Sequence, residues 1–242
     1  PAPDRAIPVA NDPVTRGSIS RQRAALIAGV GYVLLFGLAI FANFFVREGL
    51  VVTDDAAATA ANIAESNTLF RFGLLAFVAI FLIDIVVAWA IHIVFRRSHR
   101  DLSLVAAWSR LVYTVFLGVA AIFFFQALAL YDAIDVAERN SQALVGLELF
   151  NATWLIGLAA FGLHLIILGT LVARSTETPR WLGLAMIAAG IAYIVDTTAY
   201  TVLADYAHHA DIFLVIVSVP SVIAEGWFGL WLLTRARRPL TA

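Results

Sequence analysis

Two residue types are absent from this sequence of 242 residues, which contains no cysteine and no lysine. Without cysteine, the chain has no disulfide framework, no thiolate metal site and no cysteine nucleophile. Without lysine, it cannot form the Schiff base that retinal or pyridoxal phosphate requires, which excludes a retinal-binding rhodopsin of similar size. All 16 basic residues are therefore arginine.

Charged residues of both signs are also scarce. They make up 14% of the chain, whereas 62% of the residues are hydrophobic and the mean hydropathy is +0.89. Soluble domains are about 45–50% apolar and about 25% charged. The composition thus excludes a soluble globule and a disordered chain, and with a net charge of −1 it excludes a nucleic-acid-binding protein. It predicts a polytopic membrane protein whose main partner is the lipid bilayer.

The sequence contains several long runs of apolar residues. A membrane-spanning helix needs about 20 mostly apolar residues, and a β-barrel would show short alternating segments instead. The fold class that we predict is therefore all-α, a transmembrane bundle of six helices. The predicted spans are Ala24 to Val46, Leu69 to Phe95, Leu104 to Tyr131, Leu147 to Val172, Trp181 to Leu203 and Ile212 to Thr234.

The loops between these spans predict the orientation of the bundle. Arginines cluster before the first span and after the second, fourth and sixth, whereas acidic residues dominate the alternate loops. Because cytoplasmic loops are enriched in arginine and lysine, we expect both termini in the cytoplasm and the chain in the cytoplasmic (inner) membrane. The arginines concerned are Arg16, Arg21, Arg23, Arg96, Arg97, Arg100, Arg174, Arg180, Arg235, Arg237 and Arg238.

The segments outside the spans are short. Residues 1–23 hold four of the seven prolines and are expected to form a flexible cytoplasmic tail, followed by one transmembrane domain over 24–234 and a basic tail over 235–242. The outer loop 53–67 is rich in alanine, and we expect a short surface helix capped by Thr53 or Asp54. We interpret this helix as a connector without chemistry.

Five ionisable residues lie within the predicted spans, where a charge costs several kcal/mol unless it is paired or hydrated. At about 1.5 Å per residue, Asp84, Arg110, His164 and Glu225 lie about 9 to 16 Å from the cytoplasmic end, and Asp196 about 22 Å. We predict that these five residues form a ligand-binding or proton-linked layer. The alternative is a buried ion pair that only specifies how the helices pack. Against it, the layer has one arginine and three carboxylates, which leaves at least one carboxylate without an obvious partner.

No cofactor and no metal are expected. A bis-histidine haem on His92 and His164 is disfavoured because the two residues differ by roughly two helical turns in depth. The outer sequence DYAHHAD places Asp205, His208 and His209 together as weak metal candidates, although adjacent histidines in a short loop usually face solvent. No phosphate-binding loop or catalytic signature is present.

Three segments resemble a known family. The stretch from Gly162 to Gly169 (GLHLIILG), the turn from Pro179 to Gly183 (PRWLG) and the stretch from Ala189 to Asp196 (AGIAYIVD) occur in this order. Together with Arg110-Leu-Val and Glu225, they resemble the bacterial membrane family catalogued as domain of unknown function 4386. The resemblance implies a six-helix inner-membrane protein and supplies no activity.

Our leading hypothesis is a non-enzymatic bundle that binds a small amphiphilic ligand or carries protons through the polar layer. The second hypothesis is a structural or assembly subunit, in which glycine stripes such as Gly29, Gly31 and Gly37 contact a membrane partner or a second copy. An intramembrane lipid-modifying enzyme is the least favoured of the three.

Overall fold

The computed structural model describes residues 19–52, 55–129 and 136–236. The N-terminal tail up to residue 18, the C-terminal tail from residue 237 and the acidic loop around Asp132 and Asp135 lie outside the described residues, so the expectations for them stay predictions. Within the described ranges all regular structure is helical, which confirms the predicted fold class.

Six helices are long and apolar enough to span a membrane, as the sequence predicts. The first, α1, covers Arg21–Leu50 and includes a π-helical segment over Phe41–Arg47; α2 is a short helix, Ala56–Glu65. The others are α3 (Asn67–Phe95), α4 (Arg100–Ala129), α5 (Val136–Arg174), α6 (Arg180–Val202) and α7 (Ala210–Ala236). Most of these helices extend past the predicted spans. The polar residues that flank each apolar stretch also adopt helical conformation, because this provides partners for backbone groups at the ends of the stretch.

The short helix α2 confirms the expected surface helix and shows how it is capped. The carboxylate of Asp55 accepts a hydrogen bond from Ala58 N at 2.8 Å, whereas the predicted caps Thr53 and Asp54 lie outside the described residues. An aspartate at this position satisfies one of the free backbone N–H groups of the first turn and suits the positive end of the helix dipole.

The six spans form a closed ring. Each packs mainly against its neighbours in the chain, and α1 packs against α7 to complete the circle. Outward-facing residues are large and apolar, such as Phe72, Leu75, Ile122 and Val215, each more than half exposed and therefore in contact with lipid. The inside of the ring is thus the one place where all six helices can bring polar groups together.

Two pairs of glycines set the register of α5 against α6. Gly162 lies opposite Gly190, and Gly169 lies opposite Gly183, so that the two antiparallel helices meet at glycines seven residues apart. A Cβ on any of these residues would lie 2.4–2.6 Å from a backbone atom of the other helix. Small residues allow this close approach of membrane helices. This contact explains the GLHLIILG and PRWLG segments in physical terms.

Two glycines on α1 also allow close contacts between helices of the bundle. A Cβ on Gly29 would lie 2.8 Å from Leu233 of α7, and one on Gly31 would lie 2.3 Å from Val87 of α3. The ring itself therefore covers these two glycines, and a contact of the stripe with a partner stays a prediction. Gly37 faces open space.

The loop between α5 and α6 ties the arginine-rich end of the ring together. Arg21 Nη1 donates to Glu177 Oε1 at 3.1 Å, and Arg21 Nε donates to Val94 O at 2.8 Å. From α7, Trp231 Nε1 (3.3 Å) and Arg235 Nη2 donate to the backbone oxygen of Glu177. One loop residue therefore connects α1, and through it α3, with α7, where the first and last spans meet.

The glycine contacts lead to a first prediction. Gly190→Ala is expected to lower the free energy of unfolding by about 1–3 kcal/mol, because its Cβ would overlap the carbonyl oxygen of Gly162 and push α5 and α6 apart. Unfolding of the purified protein in mixed micelles, followed by circular dichroism, measures the change. Gly37→Ala is the control, since its Cβ meets nothing. Equal stability of the two variants would contradict the proposed register.

Candidate functional site in the centre of the ring

A buried ion pair occupies the centre of the ring. Arg110 on α4 donates from Nε to Asp84 Oδ1 at 2.7 Å, and Arg110 Nη2 lies 2.5 Å from the same oxygen. Both side chains are 2% exposed. Counting residues from the predicted cytoplasmic end of each helix indicated that Asp84 and Arg110 lie close enough in depth to meet. The structure brings them into contact. Each charge is thereby compensated within the apolar interior.

The remaining nitrogen of Arg110 is engaged as well. Its Nη1 donates to Tyr32 Oη at 3.0 Å and lies 3.3 Å from His164 Nε2. Its guanidinium carbon also lies 5.0 Å from the ring centre of Tyr32 and 5.2 Å from that of Phe161. Such a cation over two aromatic faces is a favourable arrangement in an apolar site. Each of the three guanidinium nitrogens of Arg110 thus has a partner from α1, α3 or α5.

The hydrogen bonds of His164 define its tautomer. His164 Nδ1 lies 2.8 Å from the backbone oxygen of Ala106, which only accepts, so Nδ1 carries the hydrogen. His164 Nε2 faces the N–H group of Arg110 and therefore accepts. The imidazole is then neutral and fully buried, at 0% exposure. The structure places His164 in the layer as a hydrogen-bonded connector between α4 and α5.

Glu225 lies beside this network without joining it. Its carboxylate interacts electrostatically with Arg110 and Asp84, yet within the described part of the chain it makes no hydrogen bond or salt bridge. Unlike the other three residues, Glu225 is partly exposed. Arg110 is paired with Asp84, so Glu225 is the carboxylate of the layer that has no arginine of its own.

Two tyrosines that the sequence analysis did not assign to the layer belong to it. Tyr32 binds Arg110, and Tyr193 on α6 lies close to Ser221 and within electrostatic reach of Glu225. With them, each of the six spans contributes at least one polar side chain to the centre. In chain order these include Tyr32, Asp84, Arg110, His164, Tyr193 and Glu225. The only sequence signal for Tyr193 was its position in the AGIAYIVD segment; Tyr32 had none.

Asp196 does not belong to the central layer, which corrects the sequence prediction. Its Oδ1 accepts a hydrogen bond from Tyr206 Oη at 2.7 Å, and Tyr206 follows the end of α6 at the opposite end of the bundle from the arginines. Asp196 is deeper than the other four by about 6 to 13 Å along its helix, and its short side chain is directed to Tyr206. It binds the α6–α7 connection instead.

The weak metal candidates come together only in part. His209 Nε2 lies 3.5 Å from Asp205 Oδ2, four residues apart on one helical face. Across the described ranges, no group of three or more His, Cys, Asp or Glu side chains is arranged to hold a metal ion. His92 is engaged elsewhere, with Nδ1 3.0 Å from Ser103 Oγ.

A second polar cluster, at the end of α1 away from the arginine-rich end, was missed by the sequence analysis. Arg47 Nη1 donates to Asn151 Oδ1 at 2.9 Å, and its guanidinium carbon lies 5.5 Å from the ring centre of Trp154. Arg47 Nε and Asn43 Oδ1 are both buried without a hydrogen-bond partner. Both residues lie in the π-helical segment, a distortion that apolar periodicity does not reveal.

Comparison with known proteins points to a family without an assigned activity. The family model described as "Domain of unknown function (DUF4386)" matches residues 27–236. An uncharacterized protein of Archaeoglobus fulgidus is 28% identical over 159 residues, which cover 66% of this chain and 80% of the relative. No solved structure matches.

The ion pair generates the second prediction. Asp84→Asn is expected to destabilise the protein by about 3–5 kcal/mol, because it leaves the Arg110 charge buried without compensation. The double variant Asp84→Asn/Arg110→Gln removes both charges and is expected to regain a large part of this loss. Unfolding in mixed micelles measures both, with the exposed Asp101→Asn as control. A double variant as unstable as Asp84→Asn would contradict the pairing.

Proposed function

Since this chain belongs to the DUF4386 family, whose description gives no activity, we propose from its own residues that it is a non-enzymatic bundle that exchanges a proton or a small amphiphilic ligand at Glu225. Its identity as a multi-pass membrane protein rests on the six spans. The exchange at Glu225 is a proposal that the six spans by themselves do not test.

The observation that carries the proposal is the free carboxylate of Glu225. A carboxylate inside a bilayer needs a counter-charge, a hydrogen-bond donor or a proton. Arg110 is already neutralised by Asp84, and Glu225 makes no direct hydrogen bond among the described residues. Its partial exposure leaves a route by which a proton or a ligand reaches it. This combination favours a group that changes its state over one that only holds helices together.

We further propose that the protein lies in the cytoplasmic membrane with both termini in the cytoplasm. The described arginines at the N-terminal end of the ring, among them Arg21, Arg97 and Arg180, support this orientation, since arginine-rich ends stay on the cytoplasmic side. Glu225 would then lie in the cytoplasmic half of the bilayer, about 14 Å from that surface.

The second hypothesis, a structural or assembly role, is favoured by one observation. Arg110, Asp84 and His164 are 0–2% exposed and satisfy one another, which is what a packing element requires. We therefore assign these three residues the role of holding the ring, and Glu225 the role of exchange. An enzymatic role finds least support, because a substrate does not reach the sealed histidine.

The third prediction tests the proposal. Glu225→Gln is expected to reduce proton flux into proteoliposomes, followed with a trapped pH-sensitive dye, by at least about tenfold, or to remove a small molecule that co-purifies with the wild type in native mass spectrometry. The reason is that glutamine keeps the shape of glutamate but binds neither a proton nor a cation. Asp84→Asn is a poorer probe, since it also unbalances Arg110.

Glu148→Gln, which changes an exposed carboxylate on α5, is the matched control and is expected to behave as the wild type. A folded Glu225→Gln variant with normal flux and the same bound molecule would refute the proposal. A wild-type chain that shows neither flux nor a bound molecule would favour the structural role instead.

A further inference from the structure

We propose that the ligand of Glu225 is a lipophilic organic cation, namely a protonated amine on an apolar chain, which reaches the carboxylate sideways from the bilayer along α7. This inference rests on the proposed function and specifies the chemical class of its ligand. It is carried by the charge balance of the layer, the direction of access and the groups around Glu225.

The charge balance of the centre favours a cation. Arg110 and Asp84 form a neutral pair, and the hydrogen bonds of His164 hold its imidazole neutral. Ionised Glu225 is then the one uncompensated charge among the described residues of the layer, and it is negative. An ammonium group neutralises it, whereas an anionic headgroup adds to it.

The same contacts exclude Arg110 as a receptor for an anionic ligand. Its Nε and Nη2 bind Asp84, and its Nη1 is directed at Tyr32 and His164. At 2% exposure, its guanidinium has no face open to an incoming carboxylate or phosphate. A lipid phosphate or a fatty acid would have to displace Asp84 first.

Access to Glu225 is from the apolar side. Of the six spans, α7 is the least buried by its neighbours. Val222 and Ile223, which precede Glu225, are 50% and 54% exposed, and a Cβ on the following Gly226 would meet no atom within 4 Å. A molecule that approaches here passes through lipid and along aliphatic side chains, so it needs an apolar part of its own.

The surroundings of Glu225 suit an ammonium group better than a metal ion. The hydroxyl groups of Tyr193 and Tyr32 lie within electrostatic reach of its carboxylate. Tyr32 is already bound to Arg110 through its hydroxyl and its ring face, which leaves Tyr193 for an incoming cation. Phenol oxygens accept N–H hydrogen bonds, and aromatic faces attract organic cations. A hard metal ion requires about six or more oxygen ligands, which one carboxylate and these hydroxyls do not supply.

The test compares three twelve-carbon probes in phosphatidylcholine nanodiscs. Dodecylamine is protonated at pH 7, 1-dodecanol is neutral and dodecanoate is anionic. Native mass spectrometry measures the fraction of protein that carries each probe at equal concentration. We expect dodecylammonium to bind the wild type and the control Glu148→Gln, and its bound fraction to fall at least about tenfold in Glu225→Gln. The other two probes are expected to bind weakly, with no difference between these variants.

A second pair of variants tests the route without changing any charge. Gly226→Leu places a side chain in the open space beside Glu225 and is expected to reduce dodecylammonium binding several-fold. Gly37→Leu fills a comparable open position on α1 and is expected to have no effect. These two variants keep the test decisive even where Glu225→Gln folds poorly.

Equal binding of dodecylammonium to the wild type and to Glu225→Gln, or a Glu225-dependent preference for dodecanol or dodecanoate, would overturn the inference. Failure of the inference alone is distinguishable from failure of the proposed function. Loss of proton flux in Glu225→Gln with unchanged dodecylammonium binding would leave Glu225 as a site for protons only. Unchanged flux together with unchanged binding would remove both.

Discussion

The ion pair between Arg110 and Asp84 is the interaction on which the arrangement of the helices depends. A single charge in the apolar interior costs several kcal/mol, so the two residues have to meet, and α3 and α4 are fixed in register by their contact. The third guanidinium nitrogen of Arg110, Nη1, contacts Tyr32 from α1 and His164 from α5. Four of the six spans are thereby held at one level of the bundle.

The other two spans are positioned by close packing. Glycine pairs bring α6 against α5, and on the other side of the ring Gly29 and Gly229 bring α1 and α7 into contact through Leu233 and Tyr32. The Glu177 loop adds hydrogen bonds to both α1 and α7 at the arginine-rich end. Because these contacts are short and directional, the ring closes in one way, and its centre is sealed on the side of α3, α4 and α5.

The closing of the ring leaves Glu225 in an unusual position. It lies near the ion pair but on the least buried span, so the centre has one satisfied, sealed part and one carboxylate without a hydrogen bond on a partly exposed residue. The division of roles that we propose follows from this asymmetry. In this proposal three residues hold the fold, and the fourth would exchange a proton or a cation with its surroundings. The buried but unsatisfied atoms of Arg47 and Asn43 are a second such imbalance, outside the central layer.

Apolar runs of about 20 residues determine the number of spans, because a bilayer admits only segments that satisfy their own backbone hydrogen bonds. The sequence alone therefore predicted six helices. The order of three of its segments indicated the family, and counting residues along the helices gave the common depth of Asp84, Arg110, His164 and Glu225. Only the tertiary structure decided which carboxylate pairs with Arg110, since the rotation of each helix about its axis depends on packing against its neighbours. It also separated Asp196 from the layer, added Tyr32 and Tyr193, and turned Gly29 and Gly31 of α1 inward. Depth along a helix follows from counting residues, but the direction of a side chain follows from contacts between helices, and that difference separates what the sequence determined from what the fold decided.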